Sequence, residues 1–433
     1  MIDQFAARVN FLDADYSDLL IPKDEISILR DLAKRVAEIA ERPDMAEKKE
    51  LWIAHNNLKQ KRPMVMCDPE NGWNEIILED ELKCKNSVAK YWEYALRKLI
   101  FWGEEMNDDF VITKIFKIPY NYSATPWINK NDPTKFNIIK TDPTGGSFHI
   151  DTVLENMEDM DQLAPSELTI DFALSDQVLT LAHETFDGLL DVQRYTYWWW
   201  GDDITNQYAL IRGLENMMLD FYDYPDEMNT LLDWITNSVL SRMDYLQENG
   251  LLNLNNYDDY VGSGGLGFTD QLPTKAFNGQ VTTQNMWGFI EAQMTSTVSG
   301  EFYREFILPY HKKIAERFAL VCVGCCEPLE NRIEYILKEV PNTRRVSVSH
   351  WANKERMSEI LQRNYIYSSK PTPVDLASPV IDEKHARGRL RDLLKITRNN
   401  NAEFIMKDNH TIGKNIDNVK NWVKIFREES GTG

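Results

Sequence analysis

The sequence predicts an α/β protein, and two observations carry that prediction. In the last third, four short β-prone runs, ALVCVGC (319–325), RRVSVSH (344–350), NYIYSSK (364–370) and EFIMKDN (403–409), alternate with helix-like segments at 328–339, 352–363 and 383–399, and a final one covers 415–429. Strands separated by helices pair in parallel through right-handed crossovers. The second observation is where the polar residues fall. Each run is apolar until its C-terminal end and then delivers Cys325-Cys326-Glu327, Ser349-His350, Ser369-Lys370 or Asp408-Asn409-His410. In a β/α barrel such ends meet at one mouth, where ligands bind. In a doubly wound sheet they spread along a line, with the site at a switch point.

Residues 1–110 read as an N-terminal, mainly helical extension. DEISILRDLAKRVAEIAER (24–42) and SVAKYWEYALRKLIFWGEEM (87–106) carry apolar residues three and four apart, and RPMVM between them resembles a short strand leaving a turn. A second unit, 111–433, opens with the β-rich VITKIFKIPY. A loop with Pro126, Pro133, Pro143, Gly145 and Gly146 follows, of a length usual for functional covers or insertions. LTLAHETFDGLLDVQRYTYWWWGD (179–202) adds an aromatic cluster. Two helices come next, NQYALIRGLENMMLDFYD and PDEMNTLLDWITNSVLSRMDYLQENG, the second with Pro225 near its start and Gly250 at its stop. LLNLNNYDDYVGSGGLG (251–267) reads as a short strand opening into a glycine-rich loop. That loop has neither a G-x-G-x-x-G opening a helix nor the lysine of a P-loop, which argues against a phosphate site.

Hydrophobic residues make up 43% of the chain and charged residues 27%, the balance of a globular protein with a sizeable core. No apolar run approaches the ~18 residues of a membrane span. The start, MIDQFAARVNFLDADYSDLL, lacks the basic and apolar regions of a signal peptide. A soluble, cytoplasmic protein is therefore expected. A net charge of -20 disfavours nucleic acid and anionic membranes as partners, since both demand clustered positive charge. Five cysteines, three of them within 322–326, do not form a disulfide framework. Reduced thiols favour chemistry over cross-linking.

LENMMLDFYDYPDEMNTLLDWITNSVLSRMDYLQENGLLNL, then SGEFYREFILPYHKKIAERF and the late strand-helix units, resemble the uroporphyrinogen decarboxylase-like superfamily over residues 180–429. A "dyPDEm" helix start, a helix ending in Gly before a strand, and an "EF-x-x-PY" helix before the next strand recur there in this order. The resemblance implies a single (β/α)8 TIM barrel with its site in the C-terminal mouth. GCCEPL, RRVSVSHW, SSKPTPVDLA and KDNHTIG look like a subgroup of longer proteins, which fits the N-terminal extension. Two chemistries are implied: cofactor-free decarboxylation of porphyrinogen acetate groups, and methyl transfer between a corrinoid protein and a thiol or methylated substrate.

A porphyrinogen's many carboxylates need several guanidinium partners. Arg62, Arg194, Arg344 and Arg345 are scattered, and no "RQAGRY"-like stretch stands near the start. The methyltransferase branch is the better match, with a small methylated substrate and a corrinoid-binding protein as implied partners. That branch resembles the chain through zinc-holding strand ends, a His-x-Cys and a later Cys, where the metal keeps a thiol deprotonated and nucleophilic. The first falls on Gly324-Cys325-Cys326, without the histidine, and the second on Asp408-Asn409-His410. The resemblance thus implies zinc on Cys326, Glu327 and His410, with His350 as a further donor.

Each candidate residue has a functional and a plain reading. Cys325 and Cys326 are either catalytic or small residues packed at a strand end. His183, near Glu184, Asp187 and Asp191, is a proton shuttle or part of a solvated helix. Lys370 binds an anion or polarises a carbonyl, or snorkels to the surface. His410 is a catalytic candidate at a strand end, with Asp408 and His350 as substrate contacts. Tyr195, Tyr197 and Trp199 fall on one face of an extended run and stack on a flat or cationic ligand, or anchor the N-terminal helices. Asn255 and Asp258 follow a strand where barrels place polar contacts, and Gln293, with Glu291, reaches the same mouth. Cys322 is core, and Cys67 and Cys84 have no ligand spacing.

Overall fold

Short segments too brief for helices form the parallel strands of the computed structural model, and those of its main sheet are buried on both faces. The structure describes residues 16–125, 127–132, 138–140, 148–150, 152–196 and 203–432. The parallel strands are β1 (Met64–Cys67), β2 (Ile115–Pro119), β3 (Asp191–Tyr195), β4 (Trp287–Ile290), β5 (Leu320–Val323), β6 (Thr343–Val348), β7 (Ile366–Ser369) and β8 (Asn401–Met406). A six-stranded parallel sheet runs in the order β1-β8-β7-β6-β5-β4. β2 and β3 form a separate parallel pair. The late strands overlap the runs the sequence marks, with β6 starting at Thr343 and β8 at Asn401, just before their runs, and their C-terminal ends share one side of the sheet, as parallel pairing requires.

Loop and side-chain bonds span the gaps between the two ladders. Asp109 N donates to Val65 O at 2.8 Å beside β1. On the far side, Thr196 N donates to Asn253 Oδ1 at 2.7 Å, and Asn255 exchanges two bonds of 2.9 Å with the backbone of Trp287. Leu251 to Asn255, expected as a strand, therefore carries no ladder of its own, because asparagine side chains do the bridging. This is α/β architecture, and the two bridged ladders are consistent with a barrel. β1 comes from the first 110 residues, so its ladder with β8 ties the expected extension into the sheet. Pro126, Pro133, Pro143, Gly145 and Gly146 lie outside the described residues. Around them, three short antiparallel pairs stand in place of a plain loop.

Helices cover the sheet. α1 (Lys23–Ala40), α2 (Pro43–Asn56) and α3 (Ser87–Phe101) precede β2, and α4 (Phe172–Phe186) leads into β3. α5 (Ile204–Arg212) and α6 (Leu214–Asp223), expected as one helix, break at Gly213, whose φ of +84° leaves helical space. α7 (Pro225–Glu248) starts with Pro225 at its first turn, where the missing N–H is harmless. α8 (Leu308–Ala315), α9 (Ile333–Glu339), α10 (Lys354–Leu361), α11 (Glu383–Ile396) and α12 (Asp417–Ser430) follow along the rest of the chain. Among the described residues, no helix is long and apolar enough to cross a membrane.

Candidate active site

The strand ends β1, β5 and β8 meet a glycine-rich loop. After β5 the chain turns at Gly324, with φ of +79°, where a Cβ would fall 2.5 Å from Leu329 Cδ1. That turn aims Cys325 inward, and its Sγ stands 3.1 Å from Ser263 Oγ and 3.6 Å from Cys326 Sγ. Cys326, half-buried, donates in turn to Asp408 Oδ2 at 3.5 Å. Beside Asp408, the buried Lys407 donates to Ser263 Oγ at 3.3 Å and faces Glu70 Oε1 at 3.5 Å. Glu70 Oε2 accepts from Asp408 N at 3.1 Å, which joins β1 to β8 at the site. The bond to Cys325 and burial push the Cys326 thiol far above its ordinary value, so it rests protonated.

Buried carboxyl groups crowd the neighbouring end of β4. Glu327 Oε1 accepts from Ala292 N and Oε2 from Cys325 N, both at 2.9 Å. Glu291 accepts from Gln293 Nε2 at 2.6 Å. Burial raises Glu291 well above a normal carboxyl, and Cys325, Asp203 and Glu327 push it further. Asp203, the N-cap of α5, is raised to about 7 by burial, with Glu327 adding to the effect. Like charges in a dry place cannot all ionise, so the group stores protons at neutral pH.

A charged network fills the space among β6, β7 and β8. Glu403 meets Arg345 Nε at 2.9 Å, His55 Nε2 at 2.9 Å and Ser368 Oγ at 2.5 Å. Burial alone would raise Glu403, but Arg345 and His55 outweigh it and hold the carboxyl at about 2. Lys370, one residue past β7 and 4% exposed, donates to Ser368 Oγ at 2.5 Å and Ser368 O at 3.2 Å. Burial lowers Lys370 to about 8, against the opposing pull of Glu403. The glycine loop closes over this network. A Cβ on Gly265 would lie 2.9 Å from both the Arg345 guanidinium and Glu403 Oε1. Gly265 thus serves close approach to an ion pair, whereas Gly262 and Gly264 make room for Cys322 and for Ile405 with Tyr260.

Sequence-marked residues fare differently. Cys325, Cys326 and Asp408 come together, with Lys370 nearby among the charges that act on it, Cys325 and Lys407 included. Gln293 positions Glu291. His350, half-buried, packs against the exposed Trp351 ring at 4.4 Å, and burial lowers its pKa against the pull of Asp408. Tyr195 donates to Asp259 in a second ion cluster, where Lys117 Nζ lies 2.8 Å from Asp258 Oδ1 and from Asp259 Oδ1. Asn255 is fully buried and bonded to β4 backbone, which makes it structural. His183 is exposed near the end of α4 that leads into the start of β3, at the opposite end of the strands from the site. Tyr197 and Trp199 lie outside the described residues.

The donors marked for zinc do not fit that metal. Both oxygens of Glu327 are taken by backbone N–H groups, and His410 is exposed, with Nδ1 3.4 Å from Asn71 Nδ2. Among the described residues, no three His, Cys, Asp or Glu side chains are placed to share a metal ion. Glu70, Lys407, Ser263, Asp203 and Glu403 escaped the sequence reading. The strand-end rule applied to RPMVM and KDNH reaches Glu70 and Lys407, whereas nothing local marks Ser263. Two surface hollows of about 430 and 380 Å³, one lined by Asn229, Asp233 and Tyr310 and the other by Glu301, Asn331 and Arg356, share no residue with these clusters.

No family model matches the chain. No curated protein does either. Among solved structures, a methyltransferase from Methanosarcina mazei is similar at a TM-score of 0.47 and 10% identity, covering 88% of this chain and 98% of that chain. A likeness at that level carries no argument about activity, so the chemistry has to come from the residues themselves.

Proposed function

We propose that this chain is a methyltransferase-type enzyme of the uroporphyrinogen decarboxylase-like kind, moving a methyl group between a small methylated substrate and a corrinoid protein or a thiol. The observation that supports it is the meeting of Cys326 with Asp408 from different strand ends, 3.5 Å apart, beside a store of protonated carboxyl groups. Loss of a methyl group leaves electrons on the heteroatom that carried it, and a proton delivered there makes departure easier. Asp203 and Glu291 hold protons at neutral pH for that purpose. The Cys326 thiol, whose S–H donates to Asp408 Oδ2, borders the place where the methyl donor would sit. A corrinoid on a partner protein would supply the methyl-accepting metal. Zinc has no place in this scheme, given the positions of Glu327 and His410.

The test uses free cob(I)alamin as acceptor and a panel of methylated amines and aryl methyl ethers as donors, with methylcobalamin absorbance as the readout. Turnover that falls at least tenfold in Cys326→Ala and Asp408→Asn supports the scheme. A panel without any turnover by the wild-type chain sinks it. Decarboxylation of a porphyrinogen is the alternative, and its guanidinium requirement speaks against it. Arg345 is tied to Glu403, Arg62 to Asp109, Arg344 to Asn56 O and Arg194 to Ser175 O, so these side chains are already bonded within the protein. Release of carbon dioxide from uroporphyrinogen would reverse that choice.

A further inference from the structure

Lys370 has no task in methyl transfer, yet its surroundings are specified atom by atom. Glu403 is ionised and can only accept, so the Ser368 hydroxyl spends its single proton on Glu403 Oε1 at 2.5 Å. Ser368 Oγ therefore faces Lys370 as an acceptor, at 2.5 Å, and the carbonyl oxygen of Ser368 is a second acceptor at 3.2 Å. A neutral amine has two N–H groups and one lone pair. Both N–H groups are matched by Ser368, and the lone pair is left directed away from these partners. An ammonium would add a third N–H and a full charge, yet among the described residues Lys370 bonds through Nζ to Ser368 alone and forms no ion pair.

We propose that Lys370 is a nucleophilic amine that forms an imine with a small aldehyde or ketone at the strand-end site. Burial, together with the nearby cations Lys407 and Arg345, favours the neutral form, while Glu403 and Cys325 pull the other way. Desolvation and a neighbouring cation are a known route to an amine that attacks carbonyl carbon near neutral pH. The lone pair of Nζ forms the C–N bond, the carbonyl π electrons move to oxygen, and one proton passes from nitrogen to that oxygen, which leaves a neutral carbinolamine. The carbinolamine then binds one further proton from water and loses a water molecule. The remaining iminium keeps one N–H for Ser368 Oγ and sets its positive charge toward Glu403. This chemistry does not depend on methyl transfer, and its test reads no methyl group.

The full chain is incubated with pyruvate or with acetaldehyde, reduced with borohydride and mapped by peptide mass spectrometry. The exposed Lys34 and Lys424, with side chains 68% and 70% accessible, serve as internal references. A reduced adduct on Lys370 at least tenfold above both references, with either probe, supports the proposal. That preference should vanish in urea-unfolded protein, and labelling of Lys370 should rise through pH 8. Labelling of Lys370 no greater than that of Lys34 and Lys424 with both probes overturns it. Lys370→Arg, checked by circular dichroism for a native fold, should lose the adduct and keep the reference labelling.

Discussion

At the scale of single residues, Glu403 sets the state of everything near it. Removing its charge strands Arg345 and His55 in a dry interior, and a broken buried pair of this kind typically costs about 3–5 kcal/mol. Glu403→Gln should therefore lower stability by that order in urea unfolding, whereas a change within 1 kcal/mol would mean the network is dispensable. Cys326 offers the opposite sort of test. Its thiol is raised by Cys325 and by burial, and a thiol attacks only as its thiolate. Iodoacetamide at pH 8 should modify Cys326 at least tenfold more slowly than it modifies glutathione, read by mass spectrometry. Cys326, Asp408 and Lys370 were legible because polar residues at the end of an apolar run have few structural reasons to be there. Glu403 was not, since a glutamate inside EFIM announces burial without naming the arginine 58 positions away that makes burial tolerable.

At the scale of elements, the glycine loop separates two causes of glycine preference. Gly265 and Gly250 both have positive φ, +99° and +65°, but a Cβ meets Arg345 and Glu403 only at Gly265 and nothing within 4 Å at Gly250. Gly250→Ala should cost about 1–2 kcal/mol, the left-handed backbone penalty alone. Gly265→Ala should cost clearly more, because the ion pair must also shift. Equal losses in thermal or urea unfolding would contradict the packing role given to this loop. The late strands could be read from their runs, since a short apolar segment between helices has little alternative. The 251–255 segment misled for the same reason. LLNL has the look of a strand, but Asn253 and Asn255 use side-chain amides where a ladder would use backbone.

At the scale of the whole molecule, acid titration should expose two opposed groups. Burial and then Arg332 hold His311 at about 3, so below pH 6.5 the unfolded chain binds a proton that the folded chain refuses. Stability from this group is lost as pH falls from 6.5 to 3. Asp203, raised to about 7, works in reverse: its contribution is full below 3.8 and is lost as pH rises toward 7. Each slope is about 1.4 kcal/mol per pH unit, and the two have opposite signs between pH 4 and 6.5. Relative to the wild type, urea midpoints should rise toward acid in His311→Leu and fall toward acid in Asp203→Asn. Below pH 4.5 Glu403 joins His311, because its contribution is lost as pH falls from 4.5 toward 2. Parallel slopes in the two variants would show that one of these groups is not buried as described.

The sequence by itself determined the alternation of late strands and helices, the polar strand ends and the reduced state of the thiols. Those properties follow from local periodicity and composition, which a chain carries wherever its parts end up. Only the tertiary structure decided that β1 pairs with β8, that Glu70 and Ser263 join Cys326 and Asp408, that His410 and His183 stand apart, and that Ser368 presents two acceptors to Lys370. Partners hundreds of residues apart are fixed by strand order and register. Hydrophobic spacing says that a face is buried, and it does not say against what.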